Sequence, residues 1–123
     1  MNELEQKIMD QTIADHDYVV GLRRYFHEHP EIAKEEFNTQ KRIEEELDKL
    51  GIPHKRIAGT GVYAEIRGNL PGKRTIVLRA DIDALPEQEE HDCPYKSQIP
   101  NRMHACGHDA HDAALIGAAR ILN

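Results

Sequence analysis

Apolar residues at Leu4, Ile8, Val19, Leu22 and Phe26 recur at or near helical spacing, with polar residues filling the gaps. Asp15 or Asp17 offers a cap for a fresh start midway, so the pattern predicts two helical pieces between Leu4 and Phe26. The stretch HEHPE, His27 to Glu31, ends them, because Pro30 disfavours helical geometry at His29. A second helical region is expected from about Lys34 to Leu50, with Phe37, Ile43, Leu47 and Leu50 on one face and Gly51 and Pro53 as its stop.

The period then changes. Val62, Ala64 and Ile66 alternate with Tyr63, Glu65 and Arg67, the mark of a strand exposed on one side. GNLPGK (68–73) reads as a turn, and TIVLRA (75–80) as a strand covered on both faces. A polar, irregular stretch from about Pro86 to Met103 leads into a last helix, Asp109 to Leu122. Helices and strands in this order predict an α/β layered domain, with helices packed on a mixed sheet. The last helix carries only Asp112 and Arg120 as charges beyond its first turn, so it needs cover on more than one side. The chain stops one residue later, which suggests that residues 1–123 are the opening part of a larger domain.

Composition narrows the class. Hydrophobic residues make up 39% and charged ones 31%, as in globular chains, while aromatics at 5% leave the core to Ile, Leu, Val and Ala. A net charge of −6 argues against a nucleic-acid partner, which needs a basic face. The polar N-terminus, MNELEQKIMDQ, has no secretory apolar run, and no segment is long and apolar enough for a membrane span. Two cysteines, Cys93 and Cys106, are too few for a disulfide scaffold, so the expected address is the cytoplasm.

The chemistry concentrates in NRMHACGHDAHD (101–112), with three histidines, one cysteine and two aspartates. Ligands in open α/β sheets collect at strand carboxyl ends and helix amino ends. TIVLRA runs into Asp81-Ile82-Asp83, whose carboxylates emerge on one side in extended geometry. Cys106-Gly107-His108 sits where the last helix begins, so the two stretches can face one pocket. A thiolate and a neutral imidazole suit zinc and other late divalent metals, and a helix amino end favours the thiolate. Singly, His104, His108 and His111 read best as capping or surface residues and Cys106 as a core filler. Four such residues within eight positions, beside two carboxylates, reverse that preference. HEH (27–29), His16, His54, His91, Cys93 and the acidic runs 44–47 and 87–92 form no comparable pattern.

LRADIDALP (78–86) followed by MHACGHDAHDAALIGAA (103–119) resembles the aminoacylase and amidohydrolase branch of the co-catalytic zinc-peptidase family, which includes hippurate and indole-acetyl-amino-acid hydrolases. LRRYFHEHPEIAKEEF (22–37) and TGVYAEIRG (60–68) extend the resemblance over nearly the whole chain. It implies a partial zinc-exopeptidase-like catalytic domain, with Cys106 and His108 as metal ligands and Asp83 as the catalytic aspartate that supports the site. Asp81 falls where other branches carry a ligating histidine and is left unassigned; Glu87 departs from the family's usual apolar residue.

The implied activity is metal-dependent hydrolysis of the amide bond in N-acyl amino acids or small peptide-like substrates. Two divalent ions, zinc or manganese with cobalt or nickel as further options, would sit roughly 3.5–4 Å apart. Family members also use a Glu-Glu pair, further histidines and a lid domain often used for dimerisation, none of which this chain supplies. The isolated chain is therefore expected to bind metal weakly and turn over little or nothing. The rival expectation is a non-catalytic α/β module that self-associates through apolar faces, as a homo-oligomer; the blandest is a structural domain without metal.

Overall fold

A computed structural model describes residues 1–123. The first helical region is two helices, α1 (Glu3–Ala14) and α2 (His16–Glu28), divided at Asp15 as expected. Asn2 and Glu5 form a reciprocal capping box at the start of α1. The Asp15 side chain does not cap α2; it accepts from Gln11 at 2.9 Å and pairs with Arg120 at 3.3 Å. Helix α1 buries none of its residues.

Helix α3 (Phe37–Leu50) begins three residues later than the apolar pattern suggested. Lys34 adopts φ 70°, and Glu31 reaches forward to accept hydrogen bonds from the backbone N–H of Asn38 and Thr39, capping the helix from outside it. Phe37, expected on the inner face, is 60% exposed because it lies at the first helical position, ahead of the buried stripe Gln40, Ile43 and Leu47. Gly51 ends the helix at φ 69°, and the Ile52 N–H returns to the Leu47 carbonyl at 3.0 Å. The core joins Leu22 and Phe26 of α2, Ile43 and Leu47 of α3, Ile52, and Ala113 and Ile116 of the last helix.

Strands β1 (His54–Ile57) and β2 (Gly61–Ala64) pair antiparallel, His54 opposite Ala64. β1 went unread because HKRI carries no apolar alternation. The Gln40 amide of α3 donates to the carbonyls of Gly59 and Gly61, fixing this hairpin to the helix.

TIVLRA departs from expectation. It forms no ladder, and Ile76, Val77 and Leu78 are 84%, 84% and 54% exposed rather than covered on both faces. A doubly apolar strand needs partners at both edges and layers above and below, which the other elements of this chain do not provide. The expected mixed sheet is accordingly the two-stranded antiparallel β1–β2 ladder, and the parallel component is one isolated bridge, Ile32 to Ala84. Beyond TIVLRA the backbone is pinned again: the Ala84 N–H donates to Glu31 at 2.8 Å, and Leu85 and Met103 exchange bonds at 2.9 and 3.0 Å. Helix α4 (His108–Leu122) packs chiefly on α2, and also touches α1 and α3, so it has the cover its apolar surface requires. No helix is long and apolar enough to cross a membrane.

Candidate metal centre

Three ligand atoms converge where the pinned segment meets the start of α4. One oxygen each from Asp81 and Asp83 and one ring nitrogen of His108 all lie within 4.8 Å of one another. Extended backbone puts residues two apart on one side, which brings both carboxylates to His108. Gly107, at φ 81°, turns the chain into α4, so that His108 is its first residue.

The hydrogen bonds set the tautomer of His108. Its Nδ1 lies 2.9 Å from the Asp83 carbonyl and 3.0 Å from Asp83 Oδ1, and both are acceptors. Nδ1 therefore carries the proton and donates, leaving the Nε2 lone pair free in the neutral ring. Nε2 lies 3.8 Å from Asp81 Oδ2, while the other Asp81 oxygen accepts from Arg79 at 2.9 Å. An imidazole nitrogen oriented by a carboxylate behind it, beside a second carboxylate, is a donor set suited to a divalent metal. The residues fit such an ion.

Cys106 is exposed, on the turn before α4, and is not one of the three converging residues. His111 lies beside His108, ring centroids 5.6 Å apart. His104 is buried with no partner on either ring nitrogen, and burial pushes its pKa down to about 4. The structure thus brings Asp83 and His108 together, adds Asp81, and leaves Cys106 at the rim.

A second polar cluster lies behind the first turn of α4. His27, near the end of α2, is 4% exposed, with Nδ1 2.8 Å from Asp109 Oδ2 and Nε2 2.9 Å from Glu89 Oε2. Arg23, one turn earlier on α2, reaches the same Asp109 oxygen at 2.8 Å. Glu89 also accepts from the Ser97 N–H at 2.7 Å. Burial works to raise the Glu89 pKa, but Ser97 and His27 outweigh it and hold the carboxyl below its usual range. From the sequence, HEH (27–29) reads as solvated or hydrogen-bonded histidines at a helix end; the partners of His27 lie 62 and 82 residues away, and spacing carries no trace of them.

Residues 77–123, which contain all three converging ligands, match Peptidase family M20/M25/M40. The chain is 44% identical over 122 residues to thermostable carboxypeptidase 2 of Saccharolobus solfataricus, covering 98% of this chain and 31% of that protein. It is 45% identical over 115 residues to the N-acetylcysteine deacetylase of Bacillus subtilis, covering 89% of this chain and 29% of the deacetylase. The crystal structure of the Bacillus subtilis YXEP protein, described as a dinuclear metal binding peptidase from the M20 family, superposes with a TM-score of 0.83 at 44% identity. That superposition covers 89% of this chain and 31% of the other. The chain thus spans about a third of the length of these relatives, and the resemblance read from LRADIDALP and MHACGHD holds in both sequence and fold. By sequence and by fold the chain is similar to members of Peptidase family M20/M25/M40.

Proposed function

We propose that this chain forms part of the metal centre of a hydrolase that cleaves the amide bond of N-acyl amino acids. The observation that carries the proposal is His108, whose Nδ1–H is held by Asp83 while Nε2 faces Asp81. Likeness to a deacetylase of an N-acetylated amino acid supports the substrate class.

In this reading His108 Nε2 and the Cys106 thiolate are the metal ligands, and the amino end of α4 favours the charged sulfur. Asp83 holds the imidazole in its binding tautomer, and Asp81 presents a free oxygen beside it. Two divalent ions, zinc or manganese, would supply Lewis-acid polarisation of the acyl carbonyl. The resemblance implies a general-base glutamate that these residues do not supply, so the 123-residue chain alone is expected to turn over little or nothing.

Exchange of this chain for the matching stretch of the Bacillus subtilis deacetylase tests the proposal. The hybrid is expected to release amino acid from N-acetylcysteine, and Cys106→Ala or His108→Ala to lower kcat at least about a hundredfold. A folded, metal-loaded hybrid without activity, or one indifferent to both substitutions, would overturn it.

A second reading has its own support. Ile76, Val77 and Leu78 are three consecutive exposed apolar residues, and no backbone–backbone hydrogen bond involves residues 66–83; the next is from Ala84 to Glu31. Such a segment suits a non-catalytic module that pairs with a second copy of itself.

A further inference from the structure

We propose that a quartet, the buried His27, Glu89 and Asp109 with the half-buried Arg23, is a positioning clamp for the turn that presents Cys106 and His108. The inference rests on the metal reading above but concerns residues outside the converging group.

Each ring nitrogen of His27 faces a carboxylate oxygen, Asp109 at 2.8 Å and Glu89 at 2.9 Å, and Arg23 reaches the same Asp109 oxygen at 2.8 Å. Glu89 and Asp109 are 2% and 0% exposed, so both carboxyl groups depend on these protein partners rather than on solvent. Buried polar groups persist only where they are hydrogen-bonded, and here the partners come from three separate parts of the chain. Arg23 and His27 come from one face of α2, Asp109 from the first turn of α4, and Glu89 from the irregular stretch before it.

What the quartet grips is specific. Asp109 directly follows His108, so its carboxylate fixes the rotation of the first turn of α4 about the helix axis. Glu89 continues the hold through the Ser97 N–H, and the Ser97 hydroxyl donates to the Arg102 carbonyl at 2.7 Å. Met103, next in sequence, is locked to Leu85. The backbone on both sides of Cys106-Gly107-His108 is therefore tied down, one side through Asp109 and the other through Ser97 and Met103. Asp83 holds the His108 ring, and the quartet holds the backbone from which that ring projects.

Cobalt(II) titration of the 123-residue protein, followed by absorption spectroscopy, tests this with Glu89→Gln and, as control, Glu46→Gln. Glu46 is equally buried at 2%, bound by Tyr18, Arg42 and Lys49, and remote from α4's first turn. Glu89→Gln is expected to weaken cobalt binding about tenfold or more, the usual effect of losing an outer partner of a metal ligand, with Glu46→Gln near wild type. Equal affinity losses in the two variants would reduce the quartet to ordinary scaffolding and overturn the inference. If wild type gives no cobalt spectrum, the isolated chain holds the ion too weakly for this readout, and amide exchange at Ala110 and His111, which both donate to Gly107, decides alone. Faster exchange there in Glu89→Gln than in Glu46→Gln sustains the clamp; equal rates overturn it. Should Glu89→Gln not fold, Arg23→Gln, on a side chain 34% exposed, carries the same comparison.

Discussion

At the scale of single residues, burial dominates the protonation of α4. Asp112 lies on its inner face, one carboxylate oxygen has no partner, and burial raises its pKa to about 8 from the ordinary 3.8. A raised folded-state value favours the protonated native form, so this contribution is complete below pH 3.8 and is lost as pH rises through about 8. His104 acts oppositely: its contribution is present above pH 6.5 and is lost as pH falls through about 4. Denaturant unfolding of Asp112→Asn across pH 5–9 should show a gain over wild type that grows towards alkaline pH, on the order of a few kcal/mol. A gain that stays flat with pH would contradict the assignment. Local spacing made some of this chemistry legible: Asp81 and Asp83, two apart, do lie on one side, and His108 does meet them. The His27 cluster was not legible, because folding alone brings together its widely separated partners.

Among the elements, the helices were read nearly correctly; of the strands, the one expected from Val62 onward is present as β2, whereas TIVLRA forms none and β1 left no apolar pattern to read. Helices α2 and α3 and the last helix bury their stripes against one another within this chain, so the 3.6-residue period kept its meaning. TIVLRA announced burial that depends on neighbouring strands, and a pattern cannot say whether those neighbours are present. The α2–α4 contact turns on Gly117, where an added Cβ would meet Val19 Cγ2 at 2.8 Å. Alanine in a helix interior gains about 1 kcal/mol over glycine, whereas overpacking costs roughly 1–3 kcal/mol, and the β-branched Val19 has little room to rotate away. Gly117→Ala should therefore lower the unfolding midpoint, and Val19→Ala in the same molecule should recover most of the loss. A stabilised single variant would refute this close approach.

The whole molecule carries its exposed apolar segment in an acidic chain of net charge −6, with its core placed between α2, α3 and α4. If the free edges of residues 74–80 pair between copies, light scattering should give a mass that rises with concentration, and Ile76→Lys with Val77→Lys should return it to the monomer value. A concentration-independent monomer would remove the self-associating reading. The cluster around His27 has a different consequence, one for inheritance. Glu89 and Asp109 are 2% and 0% exposed with the His27 ring between them, so losing any of these three leaves a buried polar group without its partner. Descendants of this gene can therefore drift more freely at exposed positions such as Arg67 or Lys73 than at His27, Glu89 or Asp109.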